Sequence, residues 1–203
     1  MGKNYCPTSL AGNLTKNCTD GLVMGVEKIG KLINWDDVDI EATKASFVTD
    51  SKNTYASLVI KKGKKAYRMG NISNLTTTKV DGAYSSKFQH VISGAILDDG
   101  DDVGAIVEAL GSNEGKFIAV VEHKFKDFGR SSRPGSSSFQ IIGLDVPLTS
   151  NGQTIANDKN SADTDGGWAF ALACSDNAAR TLWYSTSYAA TKALFDALET
   201  IVE

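Results

Sequence analysis

KFIAVVEHK (residues 116–124) is an almost unbroken apolar run, too short for a typical helix, and it reads as a well-buried β-strand. SFQIIGLDV (residues 138–146) reads as a second strand. Between them lies KDFGRSSRPGSSS (residues 126–138), which is basic, rich in Gly and Ser, and interrupted by one proline and by Phe128, an apolar residue set among polar ones. A loop of this length inside a compact domain is either functional or disordered. No catalytic apparatus is visible around it. Long arms on a catalytically bare β-rich domain suit an assembly subunit, because such arms reach neighbouring copies.

Outward from this unit the pattern stays β-rich. LVMGVEKIGKLIN (residues 22–34) alternates loosely and predicts a strand with Gly bends, with Ile29 and Ile33 on one face. WDDVDIEATKASF reads as a polar connection anchored by Trp35. YASLVI and AYRMGNI flank KKGKK and predict a hairpin (residues 55–72) with a lysine-rich turn, either a solvated tip or a contact for an acidic partner. Residues 75–80 and 87–97 supply two more strands.

GDDVGAIVEALGSN predicts a short helix. Asp101 or Asp102 is placed to cap it, Val103, Ile106, Val107 and Leu110 form one apolar face, and Gly111 stands where a left-handed cap is wanted. After a polar stretch over residues 147–167, GWAFALAC predicts a strand with large residues on one face and alanines on the other. The chain ends in a helix over residues 188–201, capped by Thr186 or Ser187, with Leu194, Leu198, Ile201 and Val202 as its apolar stripe.

The chain has 203 residues, 41 % hydrophobic and 22 % charged, with a formal charge of −3. That is enough chain for one domain with a real core, and the charge gives no basic footprint for nucleic acid. The reading is an arm over residues 1–20, then a single β-rich domain over residues 21–203 with a long loop at 126–138. No signal peptide and no run near the roughly 18 apolar residues of a membrane span is visible, so the chain is expected to be soluble and made in a cytoplasm. Cys174 reads as a buried small hydrophobe, while Cys6 and Cys18 are either two free thiols or a bridge closing the arm.

His90 and His123 lie inside predicted strands without metal-ligand spacing, so neither a metal nor a cofactor is expected. GVEKIGKL (residues 25–32) matches GxxxxGK, but Leu32 stands where a phosphate loop needs Ser or Thr, and the segment reads as a strand. The acidic clusters DDGDD (residues 98–102) and DTDGG lack a full calcium-ligand register and are read as turns and caps.

Several pieces together resemble a family of virion structural proteins from phages of Bacteroidetes-like hosts. They are Cys6, Pro7, Ala11, Gly12 and Cys18; Gly25, Val26 and Glu27 leading to Leu32, Ile33, Asn34, Asp36 and Asp37; FQIIGLD from Phe139; DTDGGW from Asp163; and ATKAL from Ala190. The likeness is greatest to a tail-tube or related tail-ring subunit. It implies a mainly β protein of the α+β class: a β-sandwich or partly rolled antiparallel sheet with a short internal helix and a C-terminal flanking helix. It further implies a non-enzymatic protein that closes into rings, commonly hexamers. The rings stack into a tube, contact other tail proteins and pass DNA through the lumen without binding it specifically.

On this reading the subunit-interface candidates are Leu10 and Leu14 of the arm, Lys126, Phe128, Arg130 and Arg133 of the long loop, and Asp98, Asp99, Asp101 and Asp102. The loop is expected to be mobile in the free subunit and ordered by a neighbour, with Phe128 as apolar anchor and the aspartates as basic-residue partners. Two other classes stay open. One is a carbohydrate- or protein-binding β module, such as a decoration or receptor-binding protein, with Trp35, Trp168, Trp183 and Tyr184 as a platform. The other is an enzyme with an unrecognised site.

Overall fold

The computed structural model describes residues 23–49, 51, 53–81, 86–128, 132–176 and 178–202. The proposed arm over residues 1–20, with Leu10, Leu14, Cys6 and Cys18, lies outside them, as does Arg130. The fold is mainly β, of the α+β class, with two sheets in a sandwich-like arrangement and three helices.

The first sheet is built around β6 (Phe117–His123). Its neighbours are β1 (Val26–Asn34) on one side and β7 (Phe139–Ile142) on the other, both antiparallel. β3 (Tyr67–Met69) extends the sheet beyond β1. Beyond β7 come β10 (Thr181–Trp183) and then, in parallel, β2 (Thr54–Tyr55). The second sheet has the order β4-β5-β9-β8, from β4 (Ile72–Asp81), β5 (Ser86–Ile96), β9 (Trp168–Asp176) and β8 (Ile155–Asn157), antiparallel throughout.

Alternation along β6 sends its side chains into two cores. Phe117, Ala119 and Val121 join Ile92, Phe170, Leu172 and Cys174 between the sheets. Ile118 and Val120 join Phe139, Trp183, Phe195 and Leu198 on the opposite face, beneath the helices. The sheets come close where Gly30 of β1 faces β4: a Cβ on Gly30 would sit 2.8 Å from Ile72 Cδ1. Within the second sheet, a Cβ on Gly94 would sit 2.9 Å from the ring of its cross-strand partner Phe170.

α2 (Asp101–Gly111) contributes Leu110 to the core between the sheets, and α3 (Tyr188–Ala197) lies on the other face of the first sheet. The Ser187 hydroxyl accepts the Ala190 N–H and caps α3 as the sequence suggests.

Five expectations are corrected. The segment WDDVDIEATKASF is not simply a polar connection: it holds a 3-10 turn (Trp35–Asp37) and α1 (Ile40–Ala45), capped by the Asp39 carboxylate. The 55–72 hairpin does not form. Residues 56–60 give their backbone bonds to the α1 segment, through Ala56 N–H to Ser46 O and Val59 N–H to Thr43 Oγ1, while β2 and β3 sit at opposite edges of the first sheet. The lysine turn instead clamps the chain's end, with Gly63 and Ala66 N–H groups donating to the carbonyls of Val202 and Leu198.

The long hairpin is β4–β5. α2 has Gly100 as its N-cap with no side-chain cap bond, Gly111 is not left-handed, and Ile106 faces solvent. α3 buries Thr191, Phe195 and, just after it, Leu198, whereas Leu194, Ile201 and Val202 are exposed. The polar stretch over residues 147–167 also contains the short strand β8, which no alternation in the sequence signals.

Phe139 stands at the centre of the helix-side core, with Tyr188, Phe195 and Trp183 rings 5.8, 5.3 and 6.3 Å away. Phe139→Ala is expected to cost about 3–5 kcal/mol. Ile106→Ala, on the solvent side of α2, is expected to stay within about 0.5 kcal/mol. Urea unfolding of the two variants measures both values.

Candidate functional site

β6 ends at His123, and the loop that follows is tied to its own subunit more firmly than its Gly/Ser content suggests. Lys126 Nζ reaches Glu122 Oε1 at 2.5 Å, the His123 carbonyl at 2.6 Å and Glu27 Oε1 at 3.3 Å. Asp127 adopts a left-handed backbone and accepts from Ser136 Oγ and the Ser137 N–H. Arg180 donates to the Ser137 carbonyl. Gly135, at φ +81°, lies under Tyr188, where a Cβ would come within 2.5 Å of Tyr188 Cβ.

Lys126 is therefore engaged within its own chain, where it was expected to reach a neighbour's aspartates. Phe128 touches the Tyr188 ring edge-on at 5.2 Å yet remains 56 % exposed, as the sequence suggests. Arg133 is half-buried in the same loop.

Glu122 is the hub of this end. It is buried in β6, accepts the Tyr188 hydroxyl at 2.6 Å and faces Lys192 at 3.5 Å, which in turn pairs with Asp196. Burial pushes its carboxyl up. The hydrogen bonds from Lys126 and Tyr188 and the charges of Lys126 and Lys192 outweigh burial and hold it below its ordinary value of 4.5. Burial and the Glu122 hydrogen bond push the Tyr188 hydroxyl up, so it is a donor and not a base. Nearby, buried Lys31 pairs with Glu199 and lies over the Phe195 ring. Glu122, Lys192, Asp196, Lys31, Phe195 and Glu199 line a charged groove of about 610 Å³ between β1 and α3.

The acidic stretch over residues 98–102 lies elsewhere. Asp98 Oδ1 accepts the N–H groups of Asp99 and Gly100, a turn role that the sequence suggests. Asp99 pairs with Lys159 and accepts from Trp168 Nε1 at 3.0 Å. Asp101 and Asp102 are exposed in the first turn of α2, where negative charge suits the helix dipole. Asp98 and Asp99 are thus engaged with their own chain, while Asp101 and Asp102 point outward. The register separates the two candidate groups. Val26 pairs with His123 at the loop end of β1, and Asn34 pairs with Phe117 at the α2 end.

Other candidates resolve into structure. Burial, then the Arg180 charge, pushes His123 down to about 4, and His123 bonds Gln140. His90 bonds Thr77 Oγ1 and the Ala178 carbonyl. Burial, then Asp176, pushes the Cys174 thiol up to about 12, as befits a core residue. Trp183 and Tyr184 are buried, and Trp168 belongs to the other sheet, so the four aromatics make no common platform.

Among the described residues no three His, Cys, Asp or Glu side chains converge as for a metal. No described helix is long and apolar enough to cross a membrane.

One feature was not read from the sequence: β4 is a sheet edge. Over residues 73–81 its side chains are largely exposed, and among the described residues no strand pairs with its outer side. The run TTTKVD is the available signal, since native edge strands carry polar and charged residues. No family model, no curated protein and no solved structure matches the chain.

Glu122→Gln tests the charged hub. A carboxyl whose folded value is depressed stabilises fully above its unfolded value and loses that contribution as pH falls through the lower folded value. At pH 7 the variant should lose about 3–5 kcal/mol, as for a broken buried ion pair. The gap to the parent chain should close as pH falls below 4.5 toward the folded value, read by urea titrations across pH.

Proposed function

We propose that this chain is a structural subunit that assembles with copies of itself, in the manner of the tail-tube family it resembles. Copies close into rings, commonly of six, and rings stack into a tube that conducts DNA within a virion. The open edge of β4 carries this reading. A long exposed edge strand is a template for pairing, and ring closure removes it. Among the described residues the other edge strands are shorter: β2 has two residues, and β3 and β8 have three each, and β8, at the far edge of the same sheet, is the edge that a neighbour's β4 would meet.

Joined edge to edge, copies of the second sheet form a continuous barrel wall. The polar side chains of Thr76, Thr77, Thr78, Lys79 and Asp81 suit a strand that stays unpaired until a neighbour arrives. The lysine turn supports this orientation. It packs beside the chain's end in the helix layer, across the first sheet from the second. In that position it keeps four lysines off a lumen through which DNA must slide without phosphate contacts.

Negative-stain imaging and sedimentation of the full chain, across concentration and beside intact virions, test the proposal. Rings or tubes are expected; a strictly monomeric chain that is absent from virions overturns it. Thr78→Pro and Lys79→Pro sharpen the test, because of two consecutive residues in an edge strand one N–H points outward. One of these variants should keep the monomer's thermal midpoint and lose ring formation. If both fold and both form rings, β4 is not the ring contact.

A further inference from the structure

An apolar cleft of about 580 Å³ opens beside α2, at the end of the sandwich away from the long loop. Leu32, Met69, Ile96, Leu110, Phe117 and Phe170 make its floor and walls. Tyr67, Leu97 and Ile106 line it as well, each about half exposed. A monomer rarely leaves a contiguous apolar recess of this kind open unless something covers it. The exposed charges of α2 beside it are all acidic, Asp101, Asp102 and Glu108, while exposed Arg68 lines the cleft on its other side.

The opposite end of β1 carries the complementary shape. Val23 and Met24 precede the strand, and Met24 is 88 % exposed. The Gly25 carbonyl accepts the Lys124 N–H, which sets this start against the loop that bears Phe128. The end therefore presents three exposed apolar side chains, with exposed Lys124 in the same loop. Socket and knob are separated along the strand by eight residues, or about 26 Å.

We propose that the cleft is the socket for a second copy of this chain, which enters it with Phe128, Met24 and Val23. A contact between opposite ends of one molecule is heterologous, so it repeats along an axis instead of closing a dimer. Apolar knob meets apolar cleft, and exposed Lys124 meets an acidic helix face. The inference rests on the assembly reading and supplies the axial contact of that assembly. Ring closure through β4 is a separate contact on a different surface.

The test uses the full chain with Cys6 and Cys18 changed to Ser. One preparation carries Phe128→Cys and a second carries Ile106→Cys; they are mixed and oxidised. A disulfide-linked pair that needs both preparations is expected, together with loss of that pair when Asp101 and Asp102 are changed to Lys. In the otherwise unaltered chain, Ile106→Asp should raise the concentration needed for stacking by roughly tenfold or more. It should leave single rings and the thermal midpoint unchanged, since Ile106 faces solvent in the free subunit. Rings without the mixed cross-link, or tubes of normal length with Ile106→Asp, overturn the socket while the ring reading stands. Monomers in every preparation overturn both.

Discussion

Residues 117–122 have no side that faces water. β6 is paired along both edges and covered on both faces, so each residue in it must satisfy its neighbours in two cores at once. Through this strand and its partners, the core beneath α1 and α3 and the core shared with the second sheet rest on opposite faces of one sheet. The tight approach at Gly30 follows from the same demand. A sheet that carries a core on each side has no spare surface on which to shed a badly fitting side chain.

The one charge on β6, Glu122, shows how the loop end is organised. A carboxylate buried alone would neutralise or unfold its surroundings. Here a lysine from the loop, a tyrosine and a lysine from α3, and through Lys126 a glutamate from β1, converge on it. Such an arrangement adds little net stability compared with an apolar replacement, but it makes the alternatives expensive. It fixes α3, the loop and the start of β1 in one register. The exposed residues Met24 and Phe128 are thereby presented at a defined place.

The assembly reading follows from what the two cores leave uncovered. Side by side, β4 offers an unpaired backbone; end to end, an apolar knob and an apolar cleft lie at opposite poles of β1. As proposed, both contacts are heterologous, and neither uses the charged groove between β1 and α3. A subunit with two independent heterologous surfaces can close in one direction and extend in the other, which is the geometry of a stacked tube.

KFIAVVEHK and FQII were legible as buried strands because an unbroken apolar run of that length has few other uses, and the α2 and α3 helices announced themselves through spacing and a serine cap. Phe128 was legible as an exposed apolar residue in a polar loop, and Cys174 as a core residue by its place in an alternation. The sequence did not determine where YASLVI goes. Its composition suits a strand, but a hairpin requires that its partner be free, and AYRM is already taken by β1. Nor did it reveal that Lys126 is held by Glu122, that α3 buries Phe195 in place of Leu194, or that β4 lies at an edge. Local pattern states what a segment can bury. Which edge stays open, which charge meets which, and where a cleft forms between two sheets depend on contacts far apart in the chain, and only the tertiary structure decided them.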